Sequence, residues 1–229
     1  MKSGWIVILA VLCMTTQAYS ADNKLLKTDK DKISYALGIN MGNHFKRDSI
    51  EVNTDMLMKG FKDALSGTKP LLTDEEMASA LTAFQQGMMA KQEQKKKALG
   101  EKNQKEGEAF LANNKKKEGV VTLKSGLQYK VITEGTGKMP KETDTVTTHY
   151  RGTLVDGTEF DSSYKRGEPV SFPVNGVISG WTEALQLMKT GSKWQLFIPA
   201  DLAYGENGGD PIGPNAALIF DVELISVAE

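Results

Sequence analysis

Of the 229 residues only one is cysteine, Cys13, and only two are histidine, His44 and His149. A single thiol forms no intramolecular disulfide and no Cys-based metal site. The histidines stand far apart without His-x-x-x-His spacing, and no Gly-rich phosphate loop precedes a helix. Nucleophilic and metal-dependent hydrolysis therefore lack visible machinery, and the aspartate pairs show no glycosidase-like pattern. No cofactor and no metal are called for. Excess charge is missing too: 28 Lys and Arg oppose 29 Asp and Glu, a formal net charge of -1. That balance removes the usual basis for nucleic-acid binding. The apolar run from Gly4 to Met14 has eleven residues, short of the roughly 20 that a membrane-spanning helix needs.

What remains is ordinary for a globular chain, 40% hydrophobic and 25% charged, which excludes a disordered or collagen-like protein. The length allows one or two domains with a real core. Lys2, the apolar run and small residues at Ala18 and Ser20 read as a secretory signal peptide over residues 1–20. Cleavage after Ser20 is the first choice, with Ala18 and Ala21 as alternatives. Cys13 follows bulky Leu12 within the run and makes a poor lipid-attachment site. The exported chain would hold no cysteine, which suits an oxidising compartment.

Texture changes near Lys115. Before it, prolines are scarce and apolar residues recur at helical spacing. Ile33, Ala36, Leu37, Met41 and Phe45 share a face, with Thr28 or Asp29 as N-cap. A second short helix carries Met56, Leu57, Phe61, Ala64 and Leu65 and stops at Gly67. Thr73-Asp-Glu-Glu76 spells a capping box. A long helical pattern follows, in which Met77, Leu81, Phe84 and Met88 form a coiled-coil-like seam. Beyond Lys91 the seam fades into Lys, Gln and Glu, so the helix to about Lys116 is expected as a solvated stalk, roughly 65 Å long. Gly87, Gly100 and Gly107 each cost about 1 kcal/mol relative to Ala and are expected to bend or fray it. Domain boundaries follow: 21–92 a helical dimerisation domain, 93–117 a connecting helix, 118–229 a second domain. Six of the ten methionines, Met41, Met56, Met58, Met77, Met88 and Met89, lie in residues 22–92. They serve either as core filler or as an adaptable interface, a homodimer seam with a cleft for client chains.

After Lys117 strands and turns prevail. Segments Leu127–Val131, Val146–Arg151, Trp194–Ile198 and Leu218–Leu224 alternate or run apolar, and Asp156-Gly157 marks a hairpin turn. Gly180–Met188 has a helical apolar face. An antiparallel sheet of five or six strands curved over one short helix satisfies this order, an α+β arrangement. His149 alternates out of phase with Val146, Thr148 and Tyr150 and is expected to be an exposed strand residue.

Aromatic and branched residues gather at turns and strand ends. Five ordered motifs contain them: His149-Tyr-Arg-Gly-Thr-Leu154, Asp156-Gly-Thr-Glu-Phe-Asp-Ser-Ser163, Val177-Ile-Ser-Gly-Trp181, Ala203-Tyr-Gly205 and Leu218-Ile-Phe-Asp-Val-Glu-Leu224. In order and spacing they resemble the FK506-binding-protein (FKBP) family of peptidyl-prolyl isomerases over residues 120–228. The whole layout is similar to that of the dimeric, exported macrophage-infectivity-potentiator (Mip) and FkpA-like members. Read without that resemblance, Tyr150, Trp181 and Phe220 would be core, and Asp161 a cap for the Ser162-Ser163 turn.

The resemblance implies an FKBP-like fold and an isomerase acting on prolyl bonds without covalent chemistry. It assigns Asp161, Tyr150 and Tyr204 to catalysis, with Phe160, Phe172, Val177, Ile178, Trp181, Ile212 and Phe220 binding the prolyl peptide. Phe172 competes with Val170 for one wall, Ile212 is the loop contact, and Arg166 matches a position that pairs with the aspartate. Implied partners are proline-containing unfolded polypeptides, a second copy of the chain, and FK506- or rapamycin-type macrolides as inhibitors. The implied location is the periplasm, with outer-membrane or cell-surface association also open. A dimeric holdase-type chaperone, gripping clients through the Met-rich domain, is the alternative function.

Overall fold

The computed structural model describes residues 25–228, so the signal-peptide reading of residues 1–20 lies outside the described residues. These residues divide into two compact units between Met77 and Ala78.

The first unit is helical. Helix α1 (Asp29–Arg47) starts at Thr28, whose hydroxyl accepts from the Asp31 amide while the Asp31 carboxylate accepts from the Thr28 amide. This reciprocal pair satisfies two of the otherwise orphaned donors at the helix start. Asn53 caps α2 (Thr54–Ser66) by accepting from two amides, and Gly67 closes it in the left-handed region at φ 68°. Neither helix contains a buried residue. Leu37, Phe61 and Leu65 are largely open to solvent.

Helix α3 (Asp74–Asn114) is continuous over 41 residues. The expected capping box is present, with Glu76 accepting from the Thr73 amide at 2.8 Å. The stalk expectation is corrected over the last four turns, which pack against the sheet domain. Gly100, Gly107 and Asn114 are buried. The Phe110 ring meets Phe197 at 5.9 Å, and the side chains of Asn114 and Gln128 bond at 3.0 Å. Gly100 and Gly107 are sites of close approach: a Cβ on Gly107 would stand 3.0 Å from that of Ala217. The propensity lost to glycine is offset here by the packing that glycine permits.

The second unit is built on one antiparallel sheet of seven strands: β1 (Val120–Thr122), β2 (Gln128–Thr133), β3 (Thr145–Leu154), β4 (Glu159–Ser162), β5 (Val170–Pro173), β6 (Lys193–Ile198) and β7 (Leu218–Ala228). Their order is β1-β2-β6-β7-β3-β4, with β5 also paired to β3. Seven replaces the expected five or six because β1 and β5, of three and four residues, are too short to show alternation. Long β3 serves two partners on one edge, β5 through Thr145–Thr148 and β4 through Arg151–Thr153. Gly157 makes the expected hairpin turn at φ 88°. A one-turn helix α4 (Ser163–Arg166) follows β4, and α5 (Ser179–Leu185) lies over the sheet. On β7, Leu218, Phe220, Val222 and Leu224 are buried, as its alternation requires. They join Leu127, Val146, Leu185, Met188, Leu196 and Ile198 in one core.

Candidate active site

Where α5 meets the concave face of the sheet, the core stops short of filling its space. A cavity of about 440 Å³ opens there, lined by Tyr150, Phe160, Asp161, Phe172, Gly176, Val177, Ile178, Trp181, Tyr204 and Phe220. The floor is Trp181, in the first turn of α5 and only 4% exposed. It sits low because Gly180 precedes it: a Cβ there would come within 2.6 Å of Ile198. Around the indole stand Tyr150 at 5.3 Å, Phe172 at 5.5 Å and Phe220 at 5.2 Å, each steeply tilted against it. Phe160 meets Phe220 edge to face at 5.4 Å. Such geometry turns ring edges toward ring faces, which favours the pairs and fixes the walls. Gly152 makes room for two of the rings, since a Cβ on it would lie 2.6 Å from Phe160 and 2.7 Å from Phe220.

One side of the cavity is polar. Tyr150, at β3, and Asp161, at β4, are brought together by the strand register, in which Gly152 opposes Asp161. The Tyr150 hydroxyl donates to Asp161 Oδ2 at 2.5 Å. Arg166, closing α4, pairs with Asp161 Oδ1 and donates through Nη2 to the Tyr150 oxygen at 2.8 Å. Partial burial pushes the Asp161 carboxyl up, but the Tyr150 and Arg166 bonds and the Arg166 charge outweigh it, leaving it below the usual value. Burial, reinforced by the bond to Asp161, raises the Tyr150 phenol. At neutral pH the edge is thus a carboxylate, a protonated phenol and a guanidinium. It orients dipoles and has no group poised to exchange protons.

Nine of the ten residues assigned from sequence line this cavity, with Gly176 in addition. Ile212 does not: it is 7% exposed and packs within the core, and its backbone carbonyl accepts from Gly209. The loop turns it inward, where burial of an apolar side chain places it in the same core as Ala216. Phe172 lines the cavity and Val170 does not.

His149 differs from its expectation as well. It is half-buried, stacked on Tyr164 at 4.6 Å, with Nδ1 2.9 Å from Ser163 Oγ. Helix α4 covers the outward face of β3 at this point, which strand periodicity alone does not show. Ser163 Oγ also accepts from the Tyr150 amide at 2.7 Å and donates to the Tyr150 carbonyl at 3.1 Å.

An antiparallel sheet closed by one short helix over an aromatic cavity with one polar edge defines a domain built to bind a small apolar group. Residues 136–225 match the FKBP-type peptidyl-prolyl cis-trans isomerases, and residues 30–131 the domain amino terminal to FKBP-type peptidyl-prolyl isomerase. The outer membrane protein MIP of Legionella longbeachae is 52% identical over 217 residues, 94% of this chain and 93% of that protein. The peptidyl-prolyl cis-trans isomerase Mip of Coxiella burnetii is 45% identical, covering 94% of each. Among solved structures, FkpA from Escherichia coli matches at a TM-score of 0.71 and 40% identity, over 89% of this chain and 98% of that one. The chain belongs to the Mip/FkpA group of FKBP-type peptidyl-prolyl cis-trans isomerases.

Proposed function

We propose that the aromatic cavity twists X-Pro bonds by binding them, in an exported protein that assists folding outside the cytoplasm. Rotation about this bond breaks amide resonance against a barrier of about 18–20 kcal/mol, and uncatalysed exchange takes tens to hundreds of seconds. No bond is made, so no nucleophile is needed. The planar amide separates more charge than the twisted one. Transfer from water to a cage of rings therefore penalises the planar ground state more than the transition state. Lowering the barrier by about 5 kcal/mol gives a rate gain of several thousandfold.

In this reading Trp181 underlies the pyrrolidine ring, with Tyr150, Phe160, Phe172 and Phe220 as walls and Val177 at the rim. The Ile178 amide and the Tyr204 hydroxyl hold peptide carbonyls. Asp161, oriented by Tyr150 and Arg166, faces the rotating carbonyl as a fixed negative pole. The observation that carries the reading is the meeting of a four-ring cage with the Tyr150–Asp161–Arg166 edge in one cavity. Titration with a proline tetrapeptide tests it by NMR: the Trp181 indole N–H resonance shifts and that of Trp194 does not. Equal shifts at both, or none, would refute it.

Export rests on the signal-like residues 1–20; among the described residues no helix is long and apolar enough to cross a membrane. The helices of residues 21–92 pair two copies, covering faces that leave Leu37, Phe61 and Leu65 more than half exposed in one chain. FK506-type macrolides would compete for the cavity. A second reading, a holdase, is supported by the exposed Met56, Met58 and Met89. It is tested with full-length Asp161→Ala and a client whose refolding is not limited by proline. Suppressed aggregation supports it, and unchanged aggregation removes it.

A further inference from the structure

Between Tyr204 and β7 the chain forms an irregular loop, residues 205–217, and α3 supports it from behind. Asn103 donates from Nδ2 to the Pro214 carbonyl at 2.8 Å. A Cβ on Gly213 would come within 2.9 Å of that same nitrogen, and one on Gly100 within 3.3 Å of Asn215 Nδ2. Helix and loop are thus in close contact at Gly100, Asn103 and Gly213. The loop in turn holds the rim of the cavity. The Asn215 amide donates to the Gly205 carbonyl at 2.8 Å, and the Gly208 amide to the Tyr204 carbonyl at 3.2 Å. A Cβ on Gly209 would lie 3.5 Å from the Tyr204 ring. Tyr204 is 44% exposed, so the loop beneath it, more than burial, sets where its ring stands.

We propose that Asn103 is a positioning residue for Tyr204, which makes the last turns of α3 part of the isomerase site. The inference rests on the aromatic cavity being that site. A side-chain amide holding a backbone carbonyl fixes the loop at one point, and the Asn215–Gly205 bond carries that constraint to the residue next to Tyr204. Because the role given to the Tyr204 hydroxyl above is to hold a carbonyl of the bound peptide, loss of the brace shows in KM more than in kcat.

The test uses the full chain. Asn103→Ala removes the donor, and Asn103→Asp removes it at nearly constant volume. Both raise KM for a proline tetrapeptide by about three- to tenfold, the effect of one lost hydrogen bond, and leave kcat within about twofold. Amide exchange at Gly208 and Asn215 quickens while that at Leu196 and Val222 does not. Lys105→Ala, on the exposed face of the same helix, changes neither constant. In a Tyr204→Ala background Asn103→Ala has no further effect on KM, because the two act through one interaction. An undiminished effect in that background, or unchanged KM in both Asn103 variants, overturns the proposal. Asp161→Ala separates the two failures. If it retains full activity, the cavity is not the site; if it is impaired while the Asn103 variants match wild type, only the brace is wrong.

Discussion

Tyr150 and Asp161 sit on neighbouring strands, and the phenol of one donates to the carboxylate of the other across 2.5 Å. Arg166 holds the opposite oxygen of the same carboxylate, so the negative pole at the cavity edge has a fixed direction. Fixing a dipole beforehand is what makes it useful during rotation, since no energy is then spent reorienting it. Asp161→Ala should slow catalysed exchange by about tenfold or more, and Tyr150→Phe by about three- to tenfold. Circular dichroism should be unchanged in both. Wild-type rates in the pair would show that the polar edge takes no part.

The same residues set the pH response. Because Asp161 is held below the ordinary aspartate value of about 3.9, its contribution to stability is full above that value. It is lost only as pH falls through the lower folded value. Tyr150 is held above the ordinary tyrosine value of about 10, so its contribution is full below that value and fades as pH rises through the folded one. With a proline peptide that does not itself titrate, kcat/KM should be flat from about pH 5 to pH 9. A step between pH 6 and pH 8 would place a titrating group in the reaction.

Gly152 offers a steric test. An added methyl would press on Phe160 and Phe220 together. Gly152→Ala is therefore expected to cost about 1–3 kcal/mol of stability and to raise KM as the two walls part. Denaturant unfolding together with steady-state kinetics checks both. A variant as stable and active as wild type would mean that the rings yield freely.

Much of this was readable from residue order, and the exceptions share a cause. The strand β7, the Asp156-Gly157 turn and the Thr73 capping box are local, decided by residues within a few positions of one another. Nine cavity residues were reached through the resemblance, because inward strand positions look alike whether they fill a core or line a hollow. Tertiary partners were not readable. Gly100 and Gly107 read as weak points in α3 because Pro214, Asn215 and Ala217, which they approach, lie more than a hundred residues away. His149 read as exposed because Tyr164 covers it from a helix of four residues. Ile212 read as a ligand contact because a loop isoleucine does not reveal which way it turns.

The exposed apolar faces of α1 and α2 carry the expectation of a dimer. Sedimentation should find the full chain at twice its monomer mass. Phe61→Ser with Leu65→Ser, both on α2 and both more than half exposed, should shift it toward monomer without loss of helicity. Association unaffected by these changes would move the interface elsewhere.

The most direct measurement is NMR exchange spectroscopy of a short proline peptide with catalytic amounts of the protein, with and without an FK506-type macrolide. Cis-to-trans exchange should accelerate strongly, and the macrolide should abolish the gain by occupying the cavity. Exchange at the uncatalysed rate, or acceleration indifferent to a bound macrolide, would contradict catalysis in the aromatic cavity.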